Sequence, residues 1–293
     1  MNDFVLVTDA GCDLPKKLVD DLGIEYIAFQ VEIDGKIYSF HPDLNEIDNA
    51  KFYSLLKSGA SVKTSLINID TYEEYFESFL KKDIDVIYVS LSSGLSGTYN
   101  SSVAACKRLS EKYPARKITA VDSLCASGGF AMLLYYATLK KNEGATYEEV
   151  KSYIEEIRHS IIHLFTVDDL NQLKRGGRIS SATALFGTMM GIKPMLHISA
   201  KGAIETTGKV RGRKASIQKM FNDMKKMIKN PNGQTIFISH GYAEDDAKYL
   251  ASLIKKEWKI KNIYIDYVGP SIGAHSGYGT LALFFLGEKR EVN

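Results

Sequence analysis

Apolar and polar positions change period along the chain in a way that separates strands from helices. Short β-branched runs, FVLVTD (4–9), DVIYVSL (85–91) and KITAVDS (117–123), each precede a stretch with helical spacing, the pattern of parallel βαβ units. IEYIAFQVEIDGKIYSF (24–40) reads as one long extended element with a hairpin turn at Asp34-Gly35. SGGFAMLLYYATLKK (127–141) is apolar nearly all round, which predicts a helix buried against the sheet. TYEEYFESFLKK reads as a helix capped by Asp70.

The second half opens with a strand-like HLFTV that enters a helix closed by Gly176-Gly177, so a domain boundary is expected close to residue 160. Strands over MLHIS (195–199), AIETTGKV (203–210), QTIFISH (234–240), IKNIYIDYVG (260–269) and GTLALFFLG (279–287) follow, with helices over the basic stretch after 210 and from Asp245 to Trp258. Several of these strands succeed one another without a crossover helix, which predicts a mixed sheet. The expected class is α/β: an N-terminal parallel-sheet α/β/α domain over residues 1–160 and a C-terminal mixed-sheet α/β domain over 161–293.

Composition narrows the class without adding a function. The chain has 293 residues, 45% hydrophobic and 25% charged, as in ordinary globular proteins. The N-terminus lacks the basic and apolar regions of a signal peptide, and a cytoplasmic location is expected. Cys12, Cys106 and Cys125 form no C-x-x-C pair, so buried reduced thiols are expected and no metal site. His159 and His163 lack the Glu of H-E-x-x-H, and with His41, His197 and His240 they read as structural.

Charge is uneven. Residues 1–100 hold 8 Lys/Arg against 17 Asp/Glu, while residues 201–230 hold 9 against 2. The basic segment is either a solvated helix face or a surface for an acidic partner, and Ile217, Met220, Met224 and Ile228 give it core-type residues at helical spacing. A nucleic-acid-binding regulator built on it is a rival reading.

Candidate chemistry begins with Ser92, Ser93, Gly94, Ser96 and Gly97, between a strand and a helix starting near Thr98. Hydroxyls and amides at a helix start form an anion cradle. No Lys or Arg occurs from Asp83 to Cys106, so the cradle suits a singly charged anion rather than a triphosphate. GLSGT misses the spacing of a G-x-S-x-G nucleophile elbow. Thr64 and Ser65 are adjacent hydroxyls, and His275 stands among Gly273, Gly277 and Gly279, where backbone must approach something closely. Arg178 follows a Gly cap. Asp9, Asp13 and Asp122 sit at the carboxyl ends of strands, the edge where open α/β sheets bind ligands, and there they either cap helices or hold a cation. With His275 they give a second rival, a self-sufficient metal-dependent hydrolase or phosphotransferase. Met189, Met190 and Met195 fall in an apolar stretch and read as core.

Taken in order, VTDAGCDL, KTS, SLSSGLSGTYNSS, VDSLCASGG, LKRGGRIS, IKPML with KVRGRKAS, and GPSIGAHSGYGTL resemble the DegV family of bacterial fatty-acid-binding proteins, from residue 5 to about 287. The resemblance implies two α/β domains with a long-chain fatty acid between them. It implies no cofactor and no catalysis by the chain alone. Some family members present the carboxylate to a separate ATP-binding fatty acid kinase, which makes acyl-phosphate for phospholipid synthesis. Carried over, Thr64, Ser65, Ser96 and Gly97 would hold the carboxylate, His275 and Arg178 would lie around it, and Arg211 would dock the kinase. A transient membrane-surface contact is expected on the same footing, and nucleic acid is not. Departures from the family pattern stand at Ala10, at Leu66-Ile67-Asn68 beside the head-group positions, and at Tyr278.

The energetics agree with that division of labour. Each buried methylene contributes about 0.8 kcal/mol, so about fourteen of them give roughly 11 kcal/mol before association costs. A charge-assisted hydrogen bond adds about 1.5–3 kcal/mol. The tail sets affinity, and the hydroxyls set which end faces out.

Overall fold

The computed structural model describes residues 4–40, 46–179 and 191–290. In chain order its elements are β1 (Phe4–Asp9), α1 (Lys16–Leu22), β2 (Glu25–Ile27), β3 (Phe29–Ile33), β4 (Lys36–Phe40), α2 (Asn49–Lys57), β5 (Val62–Thr64), α3 (Ile69–Leu80), β6 (Asp85–Ser90), α4 (Thr98–Lys112), β7 (Ile118–Asp122), α5 (Ser127–Asn142) and α6 (Tyr147–Ile157). After it come β8 (Ile161–Thr166), α7 (Leu170–Arg175), β9 (Ile192–Ile198), β10 (Ile204–Arg211), α8 (Arg213–Met227), β11 (Thr235–His240), α9 (Glu244–Glu257), β12 (Asn262–Tyr267), α10 (Pro270–Ser276) and β13 (Leu281–Leu286). Single turns of 3-10 helix follow β1 at Ala10–Cys12 and precede β8 at Arg158–Ser160.

Three sheets result. The first is parallel, in the order β2-β1-β6-β7, and every residue of its inner strand β6 is buried, as a strand covered on both faces must be. The second is mixed, in the order β10-β9-β8-β13-β11-β12; β11 and β12 pair in parallel and the other contacts are antiparallel. The third, β4-β3-β5, is small and antiparallel.

That third sheet corrects the reading of 24–40 as one extended element. The chain leaves the parallel sheet after Ile27, and β3 and β4 then fold back through Asp34 (φ 48°) and Gly35 (φ 83°), the two left-handed residues of a hairpin turn. β5 adds to the other edge of β3, with Thr64 opposite Val31. The cap of α3 is also corrected: Asn68, not Asp70, accepts the Thr71 amide, while Asp70 lies in the first turn. The basic helix α8 buries Ile217, Met220 and Met224, but it ends at Met227, and Ile228 is extended and bridges Gly287.

α5 is buried on almost every side because it lies between two layers. It packs on β8, β11 and β13 of the mixed sheet and on the 3-10 turn after β1. One hydrophobic core therefore runs from β1 and β6 through α5 to Phe237, Ala282 and Phe284. The opposite face of the mixed sheet is covered by α8 and α9 over a second core. The three cysteines are buried free thiols, and burial pushes each thiol pKa up. Among the described residues, no helix is long and apolar enough to cross a membrane. Met189, Met190, His41 and Ser180 lie outside the described residues, and Met195 is buried in the second core.

Candidate functional site

A cavity of about 230 Å³ opens where the three sheets meet. Alternate residues of two neighbouring antiparallel strands form its floor: His163 and Phe165 on β8, Ala282 and Phe284 on β13. Leu91 and Leu95 from the loop after β6, Leu173 from α7, and Ile198 and Ile204 from the β9–β10 hairpin close its apolar walls. Its rim is polar, and Thr64, Ser65, Ser96, Gly97, Arg178 and His275 all line it. Six positions from four separate segments thus come together. Leu66, 54% exposed, stands beside Ser65 and Gly97 on the same rim.

Each polar group is held by its own local structure. The loop 91–97 is pinned at its start by two strand-end carboxylates. Asp9 accepts from the Leu91 amide (2.9 Å), the Tyr88 hydroxyl (2.6 Å) and the Gly11 amide (2.9 Å). Asp122 accepts from the Ser93 and Leu124 amides. Ser92 donates to the Gly202 carbonyl, tying the loop to the β9–β10 hairpin. Ser96 accepts from the Thr98 amide and shares a 2.8 Å hydrogen bond with the Thr98 hydroxyl, so it fixes the entry to α4, whose N-cap is Gly97, while lining the cavity. Of the loop's serines, Ser92 is structural and Ser96 serves both purposes.

Thr64 stands at the end of β5, with Oγ1 2.8 Å from Nε2 of His275. His275 rides on α10, a short helix opened by Pro270 inside the glycine-rich stretch. Burial, with the Arg178 charge second, lowers its pKa to about 4, so the imidazole is neutral at neutral pH. Its other nitrogen faces Gly176, where a Cβ would come within 2.4 Å of Nδ1. Arg178 bridges the two halves of the site and lines the cavity: Nε donates to the Leu95 carbonyl and Nη1 to the Gly176 carbonyl. A neutral imidazole, two hydroxyls, the amide end of α4 and one guanidinium make a site for a single negative charge.

The carboxylates of the hydrolase reading do not join this site. Asp9 and Asp122 are spent on backbone amides, and neither they nor Asp13 line the cavity with His275. Asp13 is half-buried as a residue, but both of its carboxylate oxygens are buried, with no hydrogen bond of ordinary geometry. Ser127 and Gly269 are its nearest polar neighbours, and burial raises its pKa to about 8. Among the described residues, no group of three or more His, Cys, Asp or Glu is placed to hold a metal ion. Arg211 is the last residue of β10 and is exposed, away from the cavity.

His163 is the lining residue that sequence reasoning set aside as structural. Its Nε2 accepts the Ala126 amide at 3.3 Å, so Nδ1 carries the proton and faces the Ile161 carbonyl. The imidazole therefore both fixes the start of α5 and lines the cavity floor. The alternation in HLFTV and LALFF was the available signal, but it does not say that these strands are neighbours.

Comparison with known proteins agrees with this architecture. The family model described as uncharacterised protein, DegV family, matches residues 3–288. A DegV domain-containing protein of Clostridium perfringens is 44% identical over 99% of this chain and 100% of its own. Among solved structures, a DegV family protein of Thermus thermophilus, described by its fatty acid binding, superposes with a TM-score of 0.87 at 27% identity, covering 97% of this chain and 99% of that one. DegV of Bacillus subtilis, described as a fatty acid binding protein, gives 0.83 at 28% identity, covering 98% and 100%.

Proposed function

The chain belongs to the DegV family, and from that premise we propose that it binds a long-chain fatty acid in the cavity over β8 and β13 and presents the carboxylate at its rim to a separate ATP-dependent kinase. One observation carries the reading: an apolar cavity ends at a cluster of polar side chains, Thr64 and His275 2.8 Å apart with Ser96 and Arg178 on the same rim. The division of the chain at residue 160 belongs to the same proposal, with the cavity between the units.

In this reading, the acyl tail packs on Phe165, Ala282, Phe284 and Leu173, and its burial supplies most of the affinity. The carboxylate accepts from the hydroxyls of Thr64 and Ser96 and from the Arg178 guanidinium. Neutral His275 shares a proton with Thr64 rather than forming an ion pair, so the carboxylate keeps its nucleophilic lone pairs. A carboxylate oxygen then attacks the terminal phosphorus of ATP held by the partner. The P–O bond to ADP breaks, and the products are acyl-phosphate and ADP. Arg211, exposed at the end of β10, is the docking residue for that partner.

Native mass spectrometry of the purified protein, followed by solvent extraction, tests the binding step. The expected result is a stoichiometric mass excess that extracts as a fatty acid. An apo mass unchanged after incubation with saturated and unsaturated acids would overturn the reading. For the kinase step, Arg211→Glu should leave fatty-acid binding intact and reduce acyl-phosphate formation; a loss of binding in that variant would contradict the docking role.

A further inference from the structure

Behind the rim, on the same edge of the mixed sheet, lies a charge cluster that the proposed function leaves unused. Asp168 sits between β8 and α7, and its Oδ1 takes Lys193 Nζ from the start of β9 at 2.5 Å and faces Arg213 Nη1 from the start of α8 at 3.7 Å. Arg213 Nε in turn donates to Asp246 of α9 at 2.8 Å. The other carboxylate oxygen rests on the glycine-rich loop. Gly279 has φ +80°, and a Cβ there would stand 2.2 Å from Oδ2. Gly279 lies in the loop that leads on from His275, while Asp168 leads through α7 to Gly176 and Arg178.

The two limbs of the head-group site, α7 with Arg178 and α10 with His275, thus diverge from one carboxylate. Elsewhere they are joined by the Gln172 side chain donating to the Ala274 carbonyl and by the contact of His275 with Gly176. We propose that Asp168 is a positioning residue for carboxylate recognition: it holds the Arg178 limb and the His275 limb in register from outside the cavity, using Lys193 and Arg213 as its anchors.

Asp168 itself is 41% exposed, but its anchors are not: Lys193 and Arg213 are only 17% and 22% exposed, and they come from two further elements beside the sheet. Two Arg213 nitrogens, Nη1 and Nη2, are buried without a hydrogen-bond partner among the described residues, and Nε alone is satisfied, by Asp246. Removing the Asp168 charge would take away the ion pair of Lys193 and leave Arg213 with Asp246 alone beside the loop. The loop would then move relative to α7, displacing the imidazole from the guanidinium while leaving the apolar floor on β8 and β13 untouched.

This inference deepens the fatty-acid reading and rests on it, and a matched pair of ligands separates the two. Palmitic acid and hexadecanol carry the same chain and differ at the head. Asp168→Asn is expected to weaken palmitic acid about threefold to tenfold, and hexadecanol less than twofold. The histidine ring signals in NMR should report a moved His275. Equal weakening of both ligands, or unchanged affinity for the acid, would overturn the positioning role. A double variant, Asp168→Asn with Lys193→Met, removes the unpaired charge. It should recover thermal stability without recovering acid selectivity, and selectivity that returned with stability would overturn the role as well. Failure of the unmodified protein to bind palmitic acid would instead overturn the fatty-acid reading, and the inference would fall with it.

Discussion

The loop after β6 and the stretch after β12 are both rich in glycine and serine, both begin at the carboxyl end of a parallel strand, and both reach the cavity, yet they are built in opposite ways. Residues 91–97 are held from behind by ionisable groups, with Asp9 and Asp122 on their amides and Ser92 on the Gly202 carbonyl. Most of their polar atoms are spent on the loop's own shape. Residues 268–281 instead fold into α10, and although Asp13 and Asp168 abut Gly269 and Gly279, the helix itself is held by neutral groups: Tyr53 donates to the Val268 carbonyl, Gln172 to the Ala274 carbonyl, and Gly176 leaves room for the imidazole. A serine-rich loop is therefore not the richer donor. The donors reaching the cavity come one or two from each segment, and the rest of each segment is scaffold.

Breaking the first scaffold should have the largest effect. Asp9→Ala leaves the amides of Leu91 and Gly11 buried without their acceptor and the Tyr88 hydroxyl with only Tyr72 to bond, and should cost about 2–5 kcal/mol in urea unfolding. His275→Ala, on the other stretch, removes one side-chain contact at a partly open rim and should stay within about 1 kcal/mol. Similar losses in the two variants would erase the distinction between the loops.

A smaller effect sharpens the comparison within the rim. Ser96→Ala and Thr64→Val should each weaken fatty-acid binding about threefold to tenfold, read by displacement of a fluorescent fatty acid. Only Ser96→Ala should also lower stability, by about 1 kcal/mol, because that hydroxyl accepts the Thr98 amide at the start of α4. A stability loss of the same size in Thr64→Val would mean that β5 depends on the Thr64–His275 contact.

Much of this was legible in the residues. β-branched runs before helical periods mark β1, β6 and β7 as parallel strands, Asp34-Gly35 marks a hairpin, and an all-round apolar segment marks α5. The six rim positions came from motif resemblance, and they do line one cavity. α10 was not legible, because seven residues with Pro at the start and Gly within carry no helical period. The cavity floor was not legible either. It depends on β13 pairing with β8 across the whole second half, so that Phe284 lies opposite His163 and Ala282 opposite Phe165, a register no local pattern specifies. Nor could spacing tell a carboxylate that caps a loop, Asp9, from one left without an ordinary hydrogen bond, Asp13.

That last pair sets the most delicate test, which compares the rim with the buried joint behind it. Unfolded, Asp13 loses its proton near pH 4; folded, it keeps it to about pH 8, because burial disfavours the charge. Between those values the folded chain holds the extra proton, so this contribution to stability falls as pH rises from about 4 to about 8 and is flat outside that window. His275 runs the other way. Its folded pKa of about 4 lies below the ordinary 6.5, the unfolded chain takes up the proton first, and stability is lost as pH falls through that interval. Asp13→Asn should therefore stabilise the protein by about 1–3 kcal/mol at pH 8, and progressively less toward pH 5. A bound carboxylate should raise the His275 pKa and leave the Asp13 window in place, since only the rim meets the ligand's charge. If fatty acid instead moved the Asp13-dependent slope, the buried carboxylate and the rim would be one electrostatic unit, and the contrast between a scaffold of carboxylates and a cradle of side-chain donors would no longer hold.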